Sequence, residues 1–200
     1  MLAEELLVQS EPNPDSTGKQ LAVFLDRDGV INQPKVIDGK PYPPASIDEF
    51  ILLPGVVEAC EKIKQAGFLL VVVTNQPDVG RGTLSRETVQ AIHAYMCKLL
   101  PIDRVEVSYD SGHENPPSEF RKPRPGMLLR AAHDLGIDLK KSFMVGDRWR
   151  DIDCGHAAGC MTIFIDYGYE EPLRQPPHFR VANLTEAARI ILERAATQDG

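Results

Sequence analysis

The stretch Leu21-Ala22-Val23-Phe24-Leu25-Asp26-Arg27-Asp28-Gly29-Val30-Ile31-Asn32 decides the fold. Five apolar residues in a row, Leu21 to Leu25, suit a strand buried on both faces, and the run stops abruptly at a pair of acids. Asp26 and Asp28 stand two apart, so an extended backbone points both carboxylates the same way. Carboxylates forced together repel and are costly unless a cation or a shared proton compensates. Magnesium suits such a site, because it prefers oxygen ligands and takes one or two carboxylates together with phosphate oxygens. Gly29 allows the sharp turn that follows.

Outward from this stretch, strand and helix signals alternate. Residues 1–19 read as a flexible leader, 20–196 as a single domain and 197–200 as a tail. Pro34 to Pro54 reads as a loop or flap. The segment GVVEACEKIKQAG then spaces Val56, Val57, Cys60 and Ile63 along one side of a helix, with Gly67 placed to stop it. Leu69 to Thr74 is a second buried strand. Ser85 reads as the N-cap of a helix running to about Leu99. Val105 to Tyr109 is a third strand, followed by a Pro-rich loop and the helix MLLRAAHDLG. SFMVGD is a strand ending in an acid, IDCGHAAG a short helix, and MTIFIDYG the last core strand. Leu184 to about Ala196 closes the chain as an amphipathic helix. This alternation predicts an α/β fold: a doubly wound parallel sheet with helices on both faces. In such sheets ligands lie at the carboxyl ends of the strands.

Each strand end carries chemistry. The first ends in Asp26 and Asp28, the second in Thr74-Asn75-Gln76, whose side chains and backbone N–H groups can hold phosphate oxygens. After the third comes Arg121-Lys122-Pro123-Arg124, a basic cluster in an acidic protein. The fourth ends in Gly146-Asp147-Arg148, with Asp151 and Asp153 close behind. Singly, each motif is a commonplace of surfaces and turns. Their joint order along successive strand ends is not.

These residues resemble the haloacid dehalogenase (HAD) superfamily of phosphatases. DRDGVIN is similar to its first motif, VVVTNQ to the second, RKPRPGM to the third and MVGDRWRD to the fourth, over about Leu21 to Ala196. Within the superfamily, TNQPDVGRG, RKPRPGMLLRAA and LGIDLKKSFMVGD resemble the histidinol-phosphatase-like branch. The resemblance implies a HAD-like Rossmannoid fold and an aspartyl-phosphate mechanism. Asp26 is the implied nucleophile and Asp28 the implied general acid and base. Thr74 and Lys122 are implied to hold the transferring phosphoryl group. Mg2+ is the implied cofactor, bound by Asp26, the Asp28 backbone carbonyl and Asp147. Asn75, Arg81, Arg121 and Arg148 are candidate substrate contacts. The implied substrate is a small phosphorylated sugar, with a heptose bisphosphate that loses its 7-phosphate first and histidinol phosphate or a broader set of small molecules as alternatives.

Two departures from the branch stand out. Its members usually carry a zinc loop, but here the stretch YDSGHENPPSEFRKP keeps only His113 as a ligand, with Ser118 and Phe120 where cysteines stand elsewhere. No structural zinc is therefore expected. The insertions are also too short for a large cap domain, so the site is expected to be open.

Composition narrows the remaining classes. A net charge of −7 and the lack of a basic stripe or aromatic platform argue against nucleic acid as a partner. No run approaches the roughly 18 apolar residues of a membrane span, and the N-terminus lacks the pattern of a secretory signal. Four cysteines without a CxxC pair read as reduced and buried, which fits a cytoplasmic protein. A monomer or weak homo-oligomer is expected. A receiver-like phospho-accepting signalling domain also places acids, a Thr and a Lys around magnesium. Its accepting Asp, however, comes well after the acidic pair, whereas here the pair leads.

Overall fold

The computed structural model describes residues 19–37, 40–114 and 116–198. Along the chain run β1 (Ala22–Leu25), β2 (Lys35–Ile37), β3 (Lys40–Tyr42), α1 (Val56–Gln65), β4 (Leu69–Asn75), α2 (Pro77–Gly80) and α3 (Arg86–Leu99). There follow β5 (Arg104–Ser108), α4 (Gly126–Leu135), β6 (Phe143–Gly146), α5 (Trp149–Ala158), β7 (Met161–Ile165), β8 (Phe179–Val181) and α6 (Leu184–Gln198). Six strands form one parallel sheet in the order β5-β4-β1-β6-β7-β8. The winding reverses at β1, which pairs with β4 on one side and β6 on the other. A crevice opens beyond the strand ends at such a reversal.

Alternating side chains supply two apolar layers. Val23, Leu25, Leu70 and Val72 face Cys60 and Ile63 of α1 and Ala187 and Ile191 of α6. Ala22, Phe24, Val71 and Val73 face the opposite way, against Met127 and Leu128 of α4 and Cys154 of α5. Because both faces are covered, the central strands are apolar throughout rather than alternating, as the LAVFL and LLVVVT runs predict. The small residues of DCGHAAGC let α5 lie close on the sheet: a Cβ on Gly155 would sit 2.6 Å from Thr162 Cγ2 and 2.8 Å from Met144 Cβ.

The element boundaries hold closely, with five corrections. The expected loop at Pro34–Pro54 contains an antiparallel hairpin, β2 with β3. A single turn, α2, follows the TNQ segment, where Pro77 at the first helical position starts it. The helix expected at IDCGHAAG begins earlier, at Trp149, because the Asp151 carboxylate accepts from the Arg148 backbone N–H at 3.1 Å and so caps the first turn. β7 is not the last strand, since β8 adds to the sheet edge, its apolar content being too short to register alone. α6 runs through Gln198 into the expected tail. The leader expected at 1–19 lies outside the described residues apart from Lys19.

Candidate active site

The carboxyl ends of β1, β4 and β6 converge on a cleft of about 270 Å³. Asp26 stands one residue past β1, and its N–H still donates to Val145 O at 3.0 Å, so the sheet itself fixes its backbone. The chain then turns: Ile31 N–H donates to Arg27 O at 2.8 Å and Gly29 N–H to Asn32 O at 2.9 Å. Gly29 has φ +86°, and a Cβ there would lie 2.3 Å from Asp147 Oδ2. The turn is tight because the two acidic strand ends meet across it.

Three buried carboxylates, those of Asp26, Asp147 and Asp151, gather with oxygens within 4.8 Å of one another. Lys122 enters from the β5–α4 connection, buried to 2% exposure. Its Nζ lies 2.9 Å from Asp26 Oδ1 and 2.6 Å from Asp151 Oδ1, the latter an ion contact rather than an aligned hydrogen bond, and it donates to Val73 O at 2.7 Å. One ammonium against three carboxylates leaves two negative charges uncompensated. Burial and then repulsion from Asp151 push the Asp26 pKa up to about 7 against the pull of Lys122. Burial and repulsion from Asp26 and Asp151 hold Asp147 well above the usual carboxylate range. Asp147 Oδ1 is buried without a hydrogen-bond partner among the described residues. An orphaned oxygen in an over-acidic cluster of hard donors fits a divalent cation such as Mg2+.

Asp28 does not share this cluster as an extended backbone would require, because the chain leaves the strand at Arg27. Arg27 donates to Asp28 Oδ2 from Nη2 at 2.9 Å, and Gln76 Nε2 and Asn32 Nδ2 donate to the carboxylate at 3.0 Å each. Burial works to raise the Asp28 pKa, but the Arg27 charge and these hydrogen bonds overcome it and lower it. The carboxylate that joins Asp26 and Asp147 belongs to Asp151, in the first turn of α5, just beyond the fourth motif's Asp147 and Arg148. The cluster of acids after Gly146 was the signal for it.

The other expected residues fall around the same cleft. Thr74 is buried at the end of β4 and accepts from Gln76 Nε2 at 3.0 Å. Asn75 clamps the Lys122 backbone from both sides, donating to Lys122 O and accepting from Lys122 N, each at 3.0 Å. Arg81 and Arg121 line the mouth with Arg150, which the motifs did not single out. Arg148 lines it too, but its Nε is tied to Glu171 at 2.6 Å. Burial lowers the Arg121 pKa, and repulsion from Arg150 and Arg81 adds to this against the pull of Asp110. The mouth thus gathers guanidinium groups above an acidic floor, with Arg81 paired to Asp78 at 3.4 Å and Arg150 to Glu171 at 3.3 Å. The hairpin contributes Tyr42, and Pro43 follows it. The loop after β5 is pinned by carboxylates: Asp110 accepts from Gly112 N at 2.7 Å and Ser118 N at 2.8 Å, and Glu114 accepts from Ser111 N at 2.9 Å.

A family model described as HAD-hydrolase-like matches residues 119–187, and a phosphatase of Burkholderia mallei is 38% identical over 157 residues, 74% of this chain and 80% of that protein. The chain belongs to the HAD-like hydrolases and is a phosphatase, a phosphoric monoester hydrolase. More particularly, the Burkholderia protein is named D-glycero-alpha-D-manno-heptose-1,7-bisphosphate 7-phosphatase. A relative from Yersinia pestis, 38% identical over 151 residues (70% of this chain, 77% of that protein), bears the corresponding beta name. The structure of D,D-heptose 1,7-bisphosphate phosphatase from B. bronchiseptica, complexed with magnesium and phosphate, matches with a TM-score of 0.73 at 28% identity, covering 87% of this chain and 99% of that one.

Proposed function

We propose that this phosphatase is Mg2+-dependent and removes one phosphate from a small sugar bisphosphate, the 7-phosphate of D-glycero-D-manno-heptose 1,7-bisphosphate. The observation that carries the reading is the pairing of an acidic floor with a mouth of guanidinium groups. Asp26, Asp147, Asp151 and Lys122 suit the phosphoryl group that reacts, and Arg81, Arg121 and Arg150 suit a second phosphate on the same molecule. Histidinol phosphate carries only one phosphate and a cationic amine, which such a mouth repels. The names of the relatives support the same substrate.

In this reading an Asp26 carboxylate oxygen attacks phosphorus in line, and the bond from phosphorus to the sugar oxygen breaks. Asp28 gives its proton to the leaving oxygen. It then takes a proton from the water whose oxygen attacks the aspartyl phosphate, which releases inorganic phosphate and restores Asp26. The resting hydrogen bonds of Asp28 favour its anionic form, and an arriving phosphate dianion raises its proton affinity. Lys122 and Thr74 hold the phosphoryl oxygens, while Asn75 fixes the Lys122 backbone. Asp26, Asp147 and the Asp28 backbone carbonyl would hold Mg2+, which would screen the nucleophile from the anionic substrate and offset charge in the transition state. The reaction belongs to the cytoplasm, in keeping with four free cysteines, and to a monomer or weak homo-oligomer that binds neither nucleic acid nor membrane. Among the described residues no helix is long and apolar enough to cross a membrane.

The test compares phosphate release from the heptose bisphosphate, from a sugar monophosphate and from histidinol phosphate. The bisphosphate is expected to give the highest kcat/KM by about tenfold or more, the order of one charge-assisted contact. Equal or better turnover of histidinol phosphate would exclude the proposed substrate.

A further inference from the structure

The hydrogen bonds that hold Asp28 continue beyond the cleft. Arg27, the residue between the two acids, is wholly buried. Its Nε and Nη2 grip the Asp28 carboxylate at 2.9–3.3 Å, and its Nη1 lies 3.1 Å from Nε2 of His93 in α3. A guanidinium can only donate, so His93 Nε2 accepts and the ring is neutral with its proton on Nδ1. Burial and then the Arg27 charge drive the His93 pKa down to about 3, so the acceptor persists across any working pH. His93 is itself buried, on the core-facing side of α3 beside Ile92 and Met96. An apolar residue there would satisfy packing alone, and an imidazole is the costlier choice. What the imidazole adds is a lone pair for the one face of Arg27 that Asp28 does not occupy.

We infer that His93 is a positioning residue for the reaction: by fixing Arg27 it aligns the Asp28 carboxyl for proton transfer. This rests on the reading of Asp28 as the group that protonates the leaving oxygen. Without the acceptor, the guanidinium turns to find another partner, and Asp28 turns with it. Proton transfer is sensitive to such shifts, since a displacement of about 1 Å costs on the order of 10²-fold in rate.

The dependence on leaving group tests this. A 4-nitrophenyl ester departs without a proton, whereas a sugar or alkyl phosphate needs one. His93→Leu is expected to lower kcat/KM, which covers only the steps up to departure of the alcohol, about 10- to 100-fold for an alkyl phosphate and less than about threefold for 4-nitrophenyl phosphate. His93→Gln, whose Oε1 can accept from Arg27, is expected to restore most of the loss. If His93→Leu does not fold, Arg27→Lys, which keeps the charge but loses the two-point grip, should show the same selective loss. Equal losses on both esters, or none, would overturn the inference. Asp28→Asn serves as the control. If it shows the selective loss and the His93 and Arg27 variants do not, the positioning role alone fails. If Asp28→Asn lowers kcat/KM equally for both esters, the acid role of Asp28 fails, and the inference with it.

Discussion

At the residue scale the centre of the site is an electrostatic conflict. Burying Asp26, Asp147 and Asp151 together is unfavourable, and Lys122 relieves only part of it. Asp26→Asn keeps the shape of the side chain but removes the nucleophile, so phosphate release from any ester should fall by at least about 10³-fold, read in a steady-state assay. Lys122→Met removes the ammonium held between Asp26 and Asp151 and should destabilise the metal-free protein by about 3–5 kcal/mol in urea unfolding. Asp26, Asp147, Thr74 and Lys122 were legible in the sequence because each stands in a short motif at a strand end or in the connection that follows one, whereas Asp151 was only noted close behind Asp147. Arg27 and His93 were less so. The one signal for His93 is that it interrupts the apolar stripe of Val89, Ile92 and Met96 with a polar residue on the buried side.

At the element scale the site depends on how closely strand ends and helix starts approach. A Cβ on Gly146, the last residue of β6, would fall 2.1 Å from Asp151 Cβ, where α5 begins. Neither backbone can yield without moving a carboxylate of the cluster, so Gly146→Ala should cost most of the activity while circular dichroism still reports a folded α/β protein. The helices also settle the fate of the cysteines. Burial pushes the thiols of Cys60, Cys154 and Cys160 up to about 12, whereas Cys97 lies exposed on α3. Alkylation of the native protein near pH 8, followed by mass spectrometry, should therefore label Cys97 alone. The other three should react only after denaturation. Most boundaries could be read from apolar runs and caps such as Ser85, whose Oγ accepts from Thr88 N at 3.0 Å. The short pieces, α2, the β2–β3 hairpin and β8, could not, because three or four residues carry too little periodicity to stand out from a loop.

For the whole molecule, folding and ion binding are coupled through the acidic cluster. The Asp26 pKa lies above its value of 3.8 in an unfolded chain and reaches about 7, so the metal-free native state binds more protons than the unfolded state over that interval. The stability this contributes is complete below about 4 and is lost as pH rises through about 7. In EDTA the melting temperature should accordingly fall from about pH 5 to about pH 8. Saturating Mg2+ should raise it at neutral pH: at about 100 times Kd the gain is ~2.7 kcal/mol, or roughly 5–10 °C for a chain of this size. A melting temperature indifferent to Mg2+ at neutral pH would mean that the cluster is not a cation site. Taken by itself, the sequence determined the parallel sheet, the order of its chemistry-bearing strand ends and the family. Continuous apolar runs and local motifs carry that information within a few residues of chain. Tertiary structure alone decided which acids share one charge cluster and which side chain aligns Asp28. It also decided that Arg150 joins Arg81 and Arg121 at the mouth. Those are contacts between residues tens of positions apart, and they are settled by how strands and helices dock rather than by any local preference.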